Sequence, residues 1–177
     1  MSKKIKDFEI VESSLIKGVM LFKVSKNIDN RGSLYTTFYK DVIEQYIPGD
    51  LYFKHDKFST SYHNVLRGIH GDTKSWKLVT CVYGEIVQVV VDRRNDSPTY
   101  NKWEKFVINA DNQISVLLPP GIGNAFYVNS EAAVYHYKLA YPGEYFDAEE
   151  QFSVKWNDAE IGIEWPSFSP ILSERDK

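Results

Sequence analysis

An arginine, a histidine and a lysine lie within eleven residues of one another in the first half of the chain. Arg67, His70 and Lys77 are separated by glycines and apolar residues, and a long apolar run follows. An arginine can bind a phosphate through its planar fork, a histidine can move a proton near neutral pH, and a lysine ammonium can stabilise a developing oxyanion. Together they could bind a phosphate-bearing substrate and move a proton on it.

A tyrosine further along the chain is a second candidate for proton transfer. Strand alternation through Tyr135, His136, Tyr137 and Lys138 would place the two tyrosines on one face. A buried tyrosine hydroxyl needs a polar partner, so Tyr137 is a candidate proton donor inside a barrel, although aromatic core packing would give the same pattern. Taken singly, each of these residues also fits an ordinary structural role.

The glycines beside the charged residues also carry information. Gly68 and Gly71 flank His70, and we expect them to allow close approach of a ligand. Arg67 and Arg31 each adjoin a glycine, and we expect both arginines in turns.

Composition excludes several classes of protein. A net charge of −3 argues against nonspecific nucleic-acid binding. The single cysteine, Cys81, excludes a disulfide framework and a cysteine-based zinc site, and its apolar surroundings predict a buried thiol. No two histidines are spaced to share a barrel metal site, so we expect no metal.

Short β-strands are the elements that must position the candidate residues. Apolar runs and turn residues predict one domain over residues 1–177, a β-sandwich or barrel with a short helix over residues 41–46. The weaker pattern at 160–165 and 172–176 is expected to pack back on the body. The predicted strands cover residues 8–11, 18–24, 34–39, 51–61, 77–83, 85–93, 103–108, 114–118, 125–128 and 134–138.

The amino-terminal stretch bears on location. The lysines of Met1–Asp7 resemble the start of a signal peptide, but no apolar segment follows them. No apolar run in the chain reaches the length of a membrane span. We therefore expect a cytoplasmic protein without membrane attachment.

Seven motifs in order, from about residue 18 to residue 176, resemble the dTDP-4-keto-6-deoxyglucose 3,5-epimerase family. The resemblance implies a cupin-type jelly-roll barrel, all-β with short helical segments at the C-terminal end, and a homodimer without metal or organic cofactor. It also implies an epimerase that removes a proton next to the C4 ketone of a nucleotide sugar and returns one to the opposite face. The motifs are V-L-R-G-I-H, W-K-L-V-x-C-V-x-G-E-I, V-D-R-R-x-x-S-P-T-Y-x-x-W, P-P-G-x-x-x-x-F, Y-K, W-N-D-x-x-I-G-I-E-W-P and L-S-x-x-D.

The same resemblance implies roles for individual residues. His70 matches the general base, and Asp176, in the closing L-S-x-x-D, matches the carboxylate that orients it. Tyr137 matches the acid on the opposite face, and Lys77 matches the lysine beside the C4 oxygen. The matching substrate-binding positions, with the diphosphate on the two arginines, are Arg31, Arg67, His55, Lys57 and Ser59.

Two departures from the family pattern affect the substrate. Asn124 stands where the family usually has a histidine, and an amide can donate a hydrogen bond but cannot carry a positive charge. This predicts altered enolate stabilisation and fewer epimerised centres. Thr36 and His55-Asp56-Lys57 replace residues common in thymidine-binding members. In these positions the sequence resembles family members that act on GDP-linked 4-keto-heptoses in bacterial capsule biosynthesis.

Two other functions remain open at this point. A nucleotide-sugar 3,4-ketoisomerase of the same fold would use similar bases, but the R-G-I-H and L-S-x-x-D motifs favour the epimerase. A non-catalytic sugar-nucleotide-binding barrel would need Arg31 and Arg67 but would not need His70, Tyr137 and Asp176 together.

Overall fold

Strands make up most of the regular structure in the computed structural model, which describes residues 8–177. The stretch Met1–Asp7, on which the signal-peptide argument was based, lies outside the described residues. One short helix, α1, spans Lys40–Ile43, and single 3-10 turns follow at Glu44–Tyr46, Ala148–Glu150 and Glu174–Asp176. The strands are β1 (Phe8–Glu12), β2 (Met20–Val24), β3 (Asn27–Asp29), β4 (Gly32–Leu34), β5 (His55–Tyr62), β6 (Leu66–Gly71), β7 (Trp76–Tyr83), β8 (Glu85–Asp92), β9 (Trp103–Asn109), β10 (Ile114–Leu118), β11 (Ile122–Val128), β12 (Ala132–Ala140) and β13 (Phe152–Ser153).

Two antiparallel sheets face each other. The six-stranded sheet has the order β1-β2-β10-β7-β12-β5, and the five-stranded sheet has the order β13-β6-β11-β8-β9. From β5 to β8 and again from β9 to β13, each strand lies in the sheet opposite the one before it in the chain, as in a jelly roll. The predicted all-β fold is therefore confirmed.

Three apolar clusters hold these layers together. The largest lies between the sheets, where Val79 and Tyr135 from one sheet meet Val90 and Phe126 from the other. Ile43, at the end of α1, packs with Phe22 and Leu117 on the outer face of the six-stranded sheet. The predicted burial of Cys81 is confirmed, since its side chain is fully buried in the central cluster.

The carboxyl-terminal segment covers the outer face of the five-stranded sheet. Ile161 is buried there, and Trp156 and Trp165 pack beside it on residues of β6, β8 and β11. The indole N–H of Trp165 donates to the carbonyl of Trp156, which closes this segment on itself. The prediction that residues 160–165 pack back on the body is confirmed.

One strand prediction was wrong near the start of the chain. A strand was predicted over residues 34–39, but β4 ends at Leu34 and the following residues have no regular structure. β3 and β4 form a separate hairpin, and Arg31 lies in its tight turn, as predicted. The helix predicted over 41–46 is present as α1 and the turn that follows it, so the helical segments are not confined to the C-terminal end.

The V-D-R-R-x-x-S-P-T motif has a structural explanation. The Asp92 carboxylate, at the end of β8, is fully buried and accepts hydrogen bonds from the side chains of Arg94, Ser97 and Thr99. Burial alone would raise the pKa of Asp92, but these donors outweigh it and hold the pKa well below its usual range. The motif therefore folds the β8–β9 connection.

No helix among residues 8–177 is long and apolar enough to cross a membrane.

Candidate active site

A pocket between the two sheets gathers most of the residues singled out from the sequence. The space free of protein atoms there is about 620 Å³, part of which is open to solvent. His70 and Asn124 line it from the five-stranded sheet, and Lys77 and Tyr137 line it from the six-stranded sheet. The full lining is Lys57, His70, Lys77, Asn124, Tyr137, Leu139, Tyr145, Asp147, Ala148, Gln151 and Arg175.

The imidazole of His70 is in direct contact with a buried carboxylate. Its Nε2 lies 2.6 Å from Oδ1 of Asp176, whose side chain is only 3% exposed. The contact is defined by this short distance, because neither atom has a hydrogen bond of good geometry. Burial raises the pKa of Asp176, but His70 and the hydroxyl of Ser173 outweigh it and hold this pKa below its usual value. Asp176 is therefore held as a carboxylate beside the imidazole.

The tail reaches this position because it runs beside β6. The N–H of Leu66 donates to the carbonyl of Ile171, and the N–H of Ile171 donates to that of Asn64. Further along, the N–H of Val154 donates to the carbonyl of Ile69. These bonds tie residues 85 to 107 positions apart in the chain, and they bring the turn that contains Asp176 under His70.

Gly68 explains why His70 points into the pocket. Strict alternation from Leu66, which packs on the outer face of its sheet, would place His70 on that outer face too. The pairing of β6 with β11 is interrupted beside Gly68, and Gly68 itself has a φ of +114°. This irregularity shifts the alternation by one residue. Ile69 consequently joins Leu66 on the outer face, and His70 turns inward.

The space beside Gly68 is occupied by protein. A Cβ placed on this residue would lie 2.5 Å from the carbonyl oxygen of Asn124 and 2.6 Å from Cβ of Ala125. At Gly71, a Cβ would lie 2.7 Å from the carbonyl oxygen of Ile122. The expectation that these glycines leave room for a ligand was wrong, because they leave room for neighbouring strands.

Lys77 is an almost buried ammonium at the start of β7. Its Nζ lies 3.5 Å from Oδ2 of Asp72, and the two side chains are 10% and 0% exposed. Burial lowers the pKa of Lys77 because it penalises the charged form, and Asp72 opposes this shift. Asp72 is fixed in turn by the backbone N–H groups of Lys74 and Ser75.

Tyr137 and Tyr135 lie on the same face of β12, as predicted. Their rings meet edge to face with centroids 5.2 Å apart. His136 and Lys138 lie on the opposite face, where both contact the carboxylate of Asp56. Tyr137 therefore faces the pocket from the sheet opposite His70.

Of the five predicted substrate-binding residues, Lys57 alone is in the lining of the pocket. Lys57 lines the pocket, with its Nζ 4.3 Å from the ring centroid of Tyr145, and the His55 ring meets the same tyrosine edge to face. Ser59 has a buried hydroxyl without a hydrogen-bond partner among the described residues. Arg67 lies in β6 rather than in a turn, and its Nε donates to Ser61, beyond the pocket lining.

Arg31 is separate from the pocket. It occupies the turn of the β3–β4 hairpin, is 85% exposed and pairs with Asp29 at 2.6 Å. It is not among the residues that line the pocket around His70.

The sequence did not point to several residues of the pocket. Arg175 lines it and donates to the hydroxyl of Ser153. Its place inside the closing L-S-x-x-D motif, beside Asp176, was the available signal. Tyr145 and Gln151 come from a stretch without strand patterning, which gave no such signal.

Clustered metal ligands are absent from residues 8–177, since no three His, Cys, Asp or Glu side chains there are close enough to hold an ion.

Comparison with known proteins identifies the family. The model of the dTDP-4-dehydrorhamnose 3,5-epimerase family matches residues 13–177. The chain belongs to this family. It is therefore an enzyme of the epimerase class, as the sequence motifs predicted.

Individual relatives agree over nearly the whole chain. The dTDP-4-dehydrorhamnose 3,5-epimerase of Salmonella typhimurium is 35% identical over 171 residues, which are 94% of this chain and 92% of the relative. A dTDP-4-dehydrorhamnose 3-epimerase of Streptomyces niveus is 34% identical, over 92% of this chain and 78% of the relative. The crystal structure of a Legionella pneumophila 3,5-epimerase in complex with dTDP-4-keto-L-rhamnose has a TM-score of 0.86 at 30% identity, covering 96% of this chain and 89% of that one. The predicted cupin-type jelly roll is thereby confirmed.

We predict that Gly68→Ala destabilises the protein by at least about 2 kcal/mol, because a side chain there meets both an unfavourable φ and the neighbouring strand. Gly143→Ala is the matched control, since Gly143 also has a positive φ but no atom within 4 Å of its Cβ position. Urea denaturation of both variants measures the difference. Equal losses in the two variants would show that contact with β11 does not require Gly68.

Proposed function

We propose that the protein inverts a carbon next to the C4 ketone of a nucleotide-linked 4-keto-6-deoxy sugar, at C3 or at both C3 and C5. The observation that carries this proposal is the placement of His70 and Tyr137 in one pocket on opposite sheets. A sugar ring held between the sheets would present one face to each residue. Removal of a proton on one face and its return on the other inverts the carbon.

His70 is the proposed base. A hydrogen next to a ketone is a weak acid, and an imidazole can remove it only if the resulting enolate is stabilised. Asp176 contacts Nε2, which leaves Nδ1 to take the proton. The carboxylate then balances the charge of the imidazolium, and this lowers the barrier to proton removal.

Lys77 and Asn124 are the proposed stabilisers of the enolate. The buried ammonium of Lys77 lies in a region of low dielectric, where its attraction for an oxyanion is stronger than in water. Asn124 is paired in register with His70, so both side chains line the pocket from adjacent strands. Together they would hold the C4 oxygen near the base.

Tyr137 is the proposed acid. Its phenol would give a proton to the enolate carbon from the side opposite His70. The resulting phenolate would later regain a proton from solvent, and the His70 imidazolium would release to solvent the proton that it took. The neighbouring positive charges of Lys57 and Lys77 would stabilise that phenolate.

The charge of the pocket supports a nucleotide-sugar substrate. Lys57, Lys77 and Arg175 line it although the whole chain has a net charge of −3. Cations concentrated at a site attract a diphosphate. We assign Arg67, Ser59, His55 and Lys57 to nucleotide and diphosphate binding.

The nucleotide-binding residues determine whether the substrate is a dTDP-hexose or a GDP-heptose. The relatives named above act on dTDP sugars, while Thr36 and His55 support the GDP-heptose of a capsule pathway.

The single domain over residues 1–177 and the cytoplasmic location stay predictions.

We also propose a homodimer in which Arg31 serves the pocket of the second copy. The β3–β4 hairpin has few partners of its own, and Ile28 and Leu34 on it are 77% and 74% exposed. Exposed apolar side chains beside a cation are typical of a surface that packs against another chain. Such packing would bury the hairpin and bring Arg31 to a diphosphate.

His70→Asn is expected to reduce deuterium uptake from D₂O into dTDP- or GDP-linked 4-keto sugars by about 10²–10⁴-fold, because it removes the base. NMR of the sugar counts the deuterated carbons and so distinguishes C3 from C3 and C5. His63→Asn, a change at an exposed histidine, is the control. Uptake by His70→Asn at the wild-type rate would reject the base assignment.

Tyr137→Phe is expected to separate exchange from inversion. The base remains, so deuterium still enters the substrate, but the epimerised product forms about 10²-fold more slowly without the opposite donor. Tyr83→Phe, at a side chain that is 63% exposed, is the control. Full inversion by the Tyr137 variant would remove the tyrosine from the mechanism.

Mixing inactive variants tests the homodimer. An Arg31→Ala chain paired with a His70→Asn chain has one intact site if Arg31 acts across the interface and none if it acts within its own chain. An equal mixture after subunit exchange should then regain about one quarter of wild-type activity. If mass spectrometry shows mixed dimers in the mixture and no activity is recovered, the action of Arg31 at the partner's pocket is refuted.

A further inference from the structure

We propose that Gln88 is a positioning residue that holds the Asn124 amide with its NH₂ group toward the ketone oxygen of the substrate. Gln88 does not line the pocket, and it lies behind Asn124 on β8. It is the one polar residue in the run Ile86–Val91 and is fully buried. The inference deepens the function proposed above and rests on it.

A backbone carbonyl determines the orientation of Gln88. Its Nε2 donates to the carbonyl of Val89 at 3.1 Å and to Oδ1 of Asn124 at 2.7 Å. The two ends of an amide are hard to tell apart by shape alone. A carbonyl, however, only accepts hydrogen bonds, so the end of Gln88 that faces Val89 must be the NH₂ group.

The orientation of Asn124 follows from that of Gln88. Because Gln88 presents a donor, Asn124 must turn its oxygen toward it. The NH₂ group of Asn124 is then directed away from Gln88, and no acceptor for it is present among residues 8–177. A donor without a partner at the wall of the pocket is suited to an oxygen of the substrate.

Tyr135 completes the arrangement. Its hydroxyl lies 2.7 Å from Oε1 of Gln88 and 3.1 Å from Oδ1 of Asn124, so its one proton can go to either oxygen. Complete burial raises the pKa of Tyr135 well above its usual value, which keeps the hydroxyl a donor. The ring is stacked on Phe126 with centroids 4.1 Å apart, which limits its movement.

The arrangement gives the two stabilisers of the enolate different properties. Lys77 supplies charge, whereas Asn124 supplies a fixed, neutral hydrogen bond. A preoriented donor stabilises the oxyanion without having to reorganise during the reaction. Gln88 would therefore affect the chemical step without contacting the substrate.

A double-mutant cycle tests the proposal. Gln88→Met removes the donor while keeping the side-chain length, and we expect kcat to fall about 10–100-fold with KM nearly unchanged, since the lost orientation matters most in the transition state. In an Asn124→Ala background, the same change should have little further effect on kcat, because the residue through which Gln88 acts is gone. Thr80→Val, which removes a buried hydrogen bond to Ile114 away from the pocket, is the control for general destabilisation.

Gln88→Glu supplies an independent measurement. An ionised carboxylate cannot donate to Asn124, whereas a protonated one can. The kcat of this variant relative to wild type should therefore rise as the pH falls. A ratio independent of pH would contradict the role of Gln88 as a donor.

The outcomes separate the two proposals. A wild-type kcat in Gln88→Met, or an equal loss of kcat with and without Asn124, would overturn the role of Gln88 while leaving the epimerase intact. A wild-type enzyme that exchanges no deuterium into any 4-keto sugar would overturn both.

Discussion

The close packing of Gly68 on β11 is the constraint on which the site depends. Because this residue has no side chain, β6 can approach Asn124 and Ala125 and change its alternation there. The change turns His70 inward and leaves Ile69 to the apolar cover formed by the tail. One irregular residue thus serves the pocket and the outer core at once. A regular strand would bury the His70 imidazole under the tail and leave the pocket without it.

Electrostatics of the pocket follow from two buried carboxylates behind it. Asp176 contacts His70 and Asp72 contacts Lys77, and both carboxylates are almost fully buried. A buried charge is tolerated only when it is paired and hydrogen-bonded, and each carboxylate here has additional donors from its own turn. These turns therefore hold one carboxylate behind the His70 imidazole and one behind the Lys77 ammonium.

Most of the strands could be predicted from the sequence, and so could the grouping of His70, Lys77 and Tyr137 in one pocket, but for different reasons. The strands follow from alternation, which is local. The pairing of His70 with Asp176 depends on the tail running beside β6, and only the resemblance of the motifs indicated it. The inward direction of His70 depends on a register change that local patterning does not reveal. Arg67 was expected in a turn because Gly68 follows it, yet that glycine lies within a strand.

Gln88 could be recognised in the sequence as an unusual residue, but its partner could not. A single polar residue in a run of buried apolar residues needs a partner, but the sequence does not say which one. The partner, Asn124, is 36 positions away and adjacent only through strand pairing.

The placement of His70 and Tyr137 on opposite sheets has a consequence for stereochemistry. The distance between the His70 imidazole and the Tyr137 phenol depends on the spacing of the two sheets, which is about 10 Å in sandwiches of this kind. That thickness is determined by side chains such as Val90, Phe126 and Tyr135, which never meet the substrate. The apolar core therefore acts as a spacer. In the proposed mechanism, a thicker or looser core would favour return of a proton by His70 to the face it left, so solvent hydrogen would exchange into the sugar without inversion. The ratio of inversion to exchange is then in part a property of hydrophobic packing.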